Sequence, residues 1–179
     1  MEKASVLLLD PNPWSQQITK QILFGFGVRT PFVCENPADA REILEGQDVN
    51  LLVISDVLGE TTGYEFVSWM RRAGIGPNSF IPIIIVSGHT KRSNIHAARD
   101  CGANFILAKP VSVQVMLERV LWVARDGRTF IDTGKYLGPD RRFRSIDPPD
   151  GVMRRRDDLR PGTAFAPGAE SLAAAGGDQ

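Results

Sequence analysis

The sequence has little of what marks a specialised environment. Its two cysteines, Cys34 and Cys101, lie far apart with no second Cys or His at ligand spacing, so neither a disulfide framework nor a zinc site is expected. No apolar run approaches the roughly 20 residues that a membrane-spanning helix needs. The stretch after Met1-Glu2-Lys3-Ala4 already ends at Asp10, too early for a membrane span or a secretory leader. Excess charge is missing as well: 21 Lys+Arg balance 21 Asp+Glu, which argues against a globally basic nucleic-acid binder. His89 and His96 have no partners at metal or triad spacing and read as surface residues. What is present is ordinary globular composition, 42% hydrophobic and 23% charged over 179 residues. That length suits one buried core with an extension and is short for two full domains. A cytoplasmic protein in a reducing compartment is expected.

The order of elements is legible from apolar runs and turn punctuation. Ala4 to Leu9 is a continuous apolar run that stops at Asp10-Pro11-Asn12-Pro13, a strand leading into a helix. Ile18, Ile22 and Leu23 continue the helical spacing from Trp14, and Gly25-Phe26-Gly27 supplies its stop. Val28 to Cys34 is strand-like, and Asn36-Pro37 opens a second helix carrying Ala40, Ile43 and Leu44. Leu51 to Ser55 is a buried strand ending at Asp56, followed by a helix over Gly63 to Arg72 with Phe66, Val67 and Met70 apolar. Ile81 to Val86 is a fourth strand, Lys91 to Cys101 a helix closed by Gly102, and Phe105 to Ala108 a fifth strand. After Lys109-Pro110, Ser112 to Val123 carries a helical apolar stripe.

Strands that lack polar alternation and alternate with helices are buried on both faces, which only a parallel sheet covered by helices provides. The fold class is therefore α/β, a doubly wound five-stranded parallel sheet over residues 1–126. Residues 127–179 form an Arg/Pro/Gly-rich extension with little apolar periodicity, expected to be mostly disordered. Within it the stretch 141–156 holds six arginines against Asp147 and Asp150. This basic block can bind phosphate groups, acidic lipid or an acidic protein surface, or lie solvated and balanced by Asp157 and Asp158. It has no periodicity from which to build a helix-turn-helix, so no direct DNA binding is expected.

In a doubly wound sheet, ligands bind beyond the carboxyl ends of the strands, where Asp10, Asp56, Ser87 and Lys109 should converge. Two carboxylates, a hydroxyl and an ammonium are a specific chemical set. A carboxylate can attack a phosphoryl group if the negative charge is neutralised by a hard divalent cation and a fixed ammonium. Asp56 would attack, Lys109 and Ser87 would bind phosphoryl oxygens, and Asp10 would help hold Mg²⁺.

At these residues the sequence resembles the receiver domain of two-component response regulators, over residues 4 to about 124. The resemblance rests on Val6-Leu7-Leu8-Leu9-Asp10, Leu52-Val53-Ile54-Ser55-Asp56, Ile81-Pro82-Ile83-Ile84-Ile85-Val86-Ser87-Gly88 and Gly102-Ala103-Asn104-Phe105-Ile106-Leu107-Ala108-Lys109-Pro110, in order and at matching spacing. It implies a flavodoxin-like fold with strand order 2-1-3-4-5 and a cis Lys109-Pro110 bond. It also implies phosphoacceptor Asp56, signalling hydroxyl Ser87 and phosphate-binding Lys109. The implied partners are a histidine kinase or histidine phosphotransfer protein upstream and an unidentified protein downstream, contacted through the face between Lys91 and Val123. The segment Tyr136 to Arg142 is similar to extensions that follow some single-domain bacterial receivers.

The sequence departs from that family's pattern at three places. The family has two adjacent acids after the first strand, and the second, a direct Mg²⁺ ligand, is Pro11 here. Asp10 then carries that side of the metal site, with Glu60 the available substitute, and weaker metal affinity follows. The loop Val57-Leu58-Gly59-Glu60-Thr61-Thr62-Gly63 is one residue shorter than usual, leaving the Leu58 carbonyl as the candidate metal ligand there. The aromatic switch position holds Ile106, with Phe105 beside it, so coupling between hydroxyl and aromatic is weakened or rerouted.

Two other functional classes compete. A pseudo-receiver would keep the fold as a binding module independent of phosphorylation, which Pro11 and the short loop favour. A phosphohydrolase of the haloacid-dehalogenase type would use Asp10 as nucleophile, but it wants an aspartate two residues on and finds Asn12. Trp69, Trp122, Cys34 and Cys101 read as packing residues. Trp14, at the start of the first helix, could pack at the core edge or contact a partner.

Overall fold

A computed structural model describes residues 4–88, 97, 100–134 and 136–140. Strands β1 (Val6–Leu9), β2 (Phe32–Cys34), β3 (Leu51–Ser55), β6 (Ile83–Ser87) and β7 (Phe105–Ala108) form one sheet in the order β2-β1-β3-β6-β7, every pair parallel. Counted alone, these strands follow the expected order 2-1-3-4-5. Every residue of β1, β3 and β6 is buried, as sequences without polar alternation require.

Helices α1 (Pro13–Gly25), α2 (Pro37–Gly46), α3 (Gly63–Arg72) and α4 (Val113–Ala124) begin where the sequence places them. Asn12 caps α1 by accepting from Trp14 N and Ser15 N, Asn36 caps α2 by accepting from Asp39 N, and Ser112 caps α4 by accepting from Val115 N. Each side chain satisfies a backbone donor that the first helical turn leaves unpaired. The helix expected over Lys91 to Cys101 falls mostly outside the described residues, as do His89 and His96. Ala97 and Asp100 are helical, and Cys101 N donates to Ala97 O at 2.9 Å.

The sheet separates two apolar clusters. Leu7, Leu52, Ile54 and Ile85 pack with Phe66, Val67 and Met70 of α3 and with Leu44 of α2 on one side. Leu8, Val53 and Ile84 pack with Leu23 of α1 and with Met116 and Val123 of α4 on the other. Cys34 and Cys101 are free, buried thiols, and burial raises both above the ordinary thiol range, Cys101 to about 11. Trp69 stacks near Phe66 at 5.3 Å and Trp122 edge-on to Phe105 at 4.6 Å, so both pack. Trp14 instead is 82% exposed.

Two further ribbons lie outside the expected elements. β4 (Val57–Leu58) and β5 (Thr61–Thr62) form a tight antiparallel hairpin directly after Asp56. β8 (Phe130–Asp132) and β9 (Leu137–Pro139) form a second one within the stretch expected to be mostly disordered. The described part of that stretch, up to residue 140, is therefore ordered by contacts with the domain. The arginine clusters of 141–156 lie outside the described residues.

Arg71, in the last turn of α3, organises the packing under β8–β9. It is 2% exposed and donates to Gly102 O from Nε (3.1 Å) and Nη2 (3.0 Å), to Ser79 O and Ile81 O from Nη1 (2.8 Å each), and to Asn104 Oδ1 at 3.4 Å. A guanidinium offers five N–H donors, and here they serve neutral oxygens only. Burial accordingly pulls its pKa down to about 9. Part of the lost hydration is returned by the ring of Phe130 in β8, whose centroid lies 4.9 Å from Cζ. Gly102 and Gly138 make the seat: a Cβ on Gly102 would lie 2.4 Å from Leu137 O, and one on Gly138 would lie 2.7 Å from Gly102 Cα. Arg128 closes the ribbon's base by pairing with Asp126 at 2.7 Å and donating to Asp140 O at 3.1 Å.

Arg71→Ala strands these carbonyls without donors and removes the floor under Phe130. Urea denaturation is expected to show a loss of about 3–5 kcal/mol, with Arg71→Lys recovering only part, since an ammonium has three donors.

Candidate functional site

Parallel register gathers the candidate residues at one edge. Leu9 is level with Ile54, Ser55 with Val86, and Ser87 with Ala108, so Asp10, Asp56, Ser87 and Lys109 leave the carboxyl ends of four adjacent strands together. Asp10 and Asp56 are each 4% exposed, and Ser87 is also buried.

Lys109 Nζ donates to Asp10 Oδ2 at 2.9 Å and lies 3.4 Å from Ser55 Oγ. Asp10 Oδ1 accepts from Asn12 N at 2.9 Å, a local turn that starts α1, and Gln16 Nε2 holds Asp10 O at 2.6 Å. Ser87 Oγ donates to Asp56 Oδ2 at 2.6 Å, and Gly88 N approaches Asp56 Oδ1 at 3.4 Å. The Lys109-Pro110 peptide is cis, and Lys109 N donates to Ser87 O at 2.7 Å. The site thus holds two buried carboxylates, each engaged by a different donor, and one ammonium that is still partly exposed.

The short loop after Asp56 has a definite architecture. Val57 pairs with Thr62 and Leu58 with Thr61 across a turn at Gly59-Glu60, where Gly59 has φ +85°, a region that favours glycine. Thr62 then caps α3 in a reciprocal box: its Oγ1 accepts from Glu65 N, and Glu65 Oε2 accepts from Thr62 N at 2.8 Å. These hydrogen bonds hold the exposed Glu65 carboxylate below its ordinary range. Gly63 N closes the loop onto Asp56 O at 2.9 Å. A Cβ on Gly63 would lie 2.2 Å from Ser55 O, so α3 reaches the strand end only because that residue has no side chain.

Of the expected site residues, the structure brings Asp10, Asp56, Ser87 and Lys109 together. It does not bring Glu60 with them: that side chain is exposed on the hairpin turn, and no group of three or more His, Cys, Asp or Glu that could hold a metal occurs among the described residues. The tight β4–β5 turn carries Glu60 at its tip. Leu58 sits with its side chain buried and its backbone in that hairpin. Asn12, where a phosphohydrolase would need an acid, is committed to the α1 cap. Sequence reading missed Gln16 and Tyr64. Gln16 lies one turn into α1, and Tyr64 follows Gly63 and is buried beside Ser87 and Asp56.

Comparison with known proteins agrees with this geometry. The response regulator receiver domain family matches residues 6–121, and the chain belongs to that family. None of the curated proteins matches the sequence. A CheY-like receiver domain protein of Methanospirillum hungatei JF-1 superposes with a TM-score of 0.60 at 21% identity, covering 69% of this chain and 96% of that one. The chemotaxis protein CheY4 of Vibrio cholerae gives 0.62 at 20%, covering 68% and 99%. The receiver domain of a signal transduction histidine kinase from Syntrophus aciditrophicus gives 0.61 at 20%, covering 68% and 90%. The class is therefore a receiver of two-component signalling, and at these identities the solved structures speak for the fold.

The close approach of Gly63 makes a direct prediction. Gly63→Ala forces the strand end carrying Asp56 away from α3, costing about 1–3 kcal/mol. In a heteronuclear NMR spectrum the amide shifts of Ser55, Asp56 and Ser87 should move, while those of residues 130–139 stay in place.

Proposed function

We propose that the chain accepts a phosphoryl group on Asp56 from a histidine kinase or histidine phosphotransfer protein and signals through protein contacts. The observation that carries this reading is the pairing at the carboxyl edge. Asp56, 4% exposed, faces a hydroxyl donor 2.6 Å away, while the neighbouring carboxylate Asp10 is held by Lys109 at 2.9 Å.

In the transfer, an Asp56 carboxylate oxygen forms the new O–P bond as the P–N bond to the donor imidazole breaks, with the electron pair staying on that nitrogen. Charge spreads over the three remaining phosphoryl oxygens. Lys109 has three N–H donors, so it can keep Asp10 and offer another to a phosphoryl oxygen. Ser87 can turn its proton from Asp56 Oδ2 to a second oxygen. Preorganised donors at developing charge in a buried site act more strongly than in water.

The donor set fits a hard divalent cation. Mg²⁺, which receiver domains generally bind, takes one or two carboxylates and completes its shell with water and phosphate oxygens. Asp10 and Asp56 would hold it, with the Leu58 carbonyl a candidate third oxygen. When bound, it supplies the charge neutralisation that two carboxylates and one ammonium leave incomplete.

A second reading, a module that binds partners without phosphorylation, is favoured by Pro11, which leaves the metal side of the site one acid short. Incubation with acetyl phosphate and Mg²⁺ followed by intact-mass measurement separates the two. The expected result is a phosphoryl adduct on the wild type that is absent from Asp56→Ala. An unlabelled wild type supports the binding module. Pro11→Asp restores an acid beside Asp10 and should lower the Mg²⁺ concentration for half-maximal labelling by about ten-fold. An unchanged midpoint removes the argument that Pro11 weakens the metal site.

A further inference from the structure

We propose that the cavity beneath the β8–β9 ribbon is a binding site for a small organic monocarboxylate with an apolar body. The site is separate from Asp56 and does not depend on phosphorylation.

Between the ribbon, the last turn of α3 and the 3₁₀ turn Gly76–Phe80 lies a cavity of about 430 Å³, toward the lower end of the range for small-molecule sites. Arg71 and Arg72 line it from α3, Ser79 and Phe80 from the 3₁₀ turn, and Asp132 and Leu137 from the two strands of the ribbon. Leu137 belongs to the Tyr136–Arg142 segment, to which the carboxyl-edge site assigns no role.

Charge sets the first requirement on the occupant. Arg71 is a buried cation whose donors all go to neutral oxygens, and among the described residues no carboxylate pairs with it. With its pKa at about 9 it keeps its charge at neutral pH. A buried charge without a counter-ion is costly, and an anion in the cavity that it lines would compensate it. Arg72 adds a second guanidinium and Asp132 one carboxylate, whose Oδ1 accepts from Gly134 N at 2.8 Å. The lining therefore carries one positive charge in excess, which a monoanion balances and a dianion oversteps.

The second requirement is an acceptor oxygen. Ser79 is 3% exposed, and its hydroxyl is a buried polar group with no hydrogen-bond partner. Its backbone is fixed by Arg71, which donates to Ser79 O at 2.8 Å. That hydroxyl is a donor the protein itself leaves unused. A guanidinium binds a carboxylate through two parallel N–H groups, which makes Arg72 the anchor and Ser79 the second donor. Phe80, 38% exposed and edge-on to Phe130 at 5.3 Å, offers with Leu137 an apolar surface for the rest of the ligand.

The test is a titration of the full chain with 3-phenylpropionate, followed by heteronuclear NMR, with phenethylamine and phenyl phosphate as comparators. Amide shifts are expected at Gly76, Ser79, Gly134 and Leu137, with those of Asp10, Asp56 and Ser87 unmoved, and a Kd on the order of 1 mM for a ligand of this size. Ser79→Ala removes a hydroxyl that has no partner, so its melting temperature should equal or exceed that of the wild type, while binding weakens about five-fold, the worth of one hydrogen bond. Phenethylamine should leave the cavity amides in place. Phenyl phosphate should bind about five-fold more weakly than 3-phenylpropionate, and Asp132→Asn, which keeps an acceptor for Gly134 N, should close that gap. The proposal is overturned if 3-phenylpropionate at about 10 mM moves no cavity amide or moves only those of Asp10, Asp56 and Ser87. Undiminished binding to Ser79→Ala, or binding of either comparator as tight as that of 3-phenylpropionate, overturns it as well.

Discussion

Parallel strands in one sheet all end on the same side, and this constraint makes the rest of the molecule intelligible. Asp10, Asp56, Ser87 and Lys109 are separated by up to 99 positions in sequence, yet each lies at or just beyond the end of a strand in the same sheet. The central strands β1, β3 and β6 are buried throughout, and of the four residues only Ser87 belongs to a strand itself, as the last residue of β6. Their register brings a lysine to within 2.9 Å of one carboxylate and a serine to within 2.6 Å of the other. A slip of one residue in any of these strands would turn its functional side chain to the other face. The apolar clusters on both sides of the sheet are therefore part of the site's specification.

The same constraint explains why so much could be read from the amino acids. Runs such as Leu51–Ser55 and Ile83–Ser87 have no polar alternation, which forces a covered parallel sheet, and the covered sheet in turn forces convergence of the residues that end the strands. Helix starts were legible because turn residues such as Asn12-Pro13 and Asn36-Pro37 stand just ahead of helical apolar spacing, and the structure turns Asn12, Asn36 and Ser112 into their caps. The β8–β9 ribbon was not legible, since three-residue strands have no measurable period. Its order comes from Phe130 over Arg71 and from a contact between two glycines. Arg71 itself reads as an exposed charge at a helix end; only the carbonyls of Gly102, Ser79 and Ile81, brought round it by the fold, reveal that it is buried. The place of Glu60, the substitute acid in the seven-residue loop, was not legible because that loop folds as a two-residue turn followed by a capping box.

The two ends of the domain thus carry different polar devices. At the carboxyl edge, charges are paired and donors are aimed at carboxylates that could exchange them for a phosphoryl group. At the opposite pole, where β7 begins, a guanidinium fully served by neutral oxygens ties α3, the 3₁₀ turn Gly76–Phe80, the residues ahead of β7 and the β8–β9 ribbon into one unit. α3 spans both, with Gly63 and Tyr64 at the site and Arg71 under the ribbon. Membership of the receiver family accounts for the first device and not for the second.

The central claim is that Asp56, and not Asp10, receives the phosphoryl group. Its most direct test is to label the protein with acetyl phosphate and Mg²⁺, reduce it with borohydride, and map the peptides, because an acyl phosphate is reduced to an alcohol and leaves homoserine at the modified position. Homoserine at position 56 is the predicted result; homoserine at position 10, or at neither, would contradict the account.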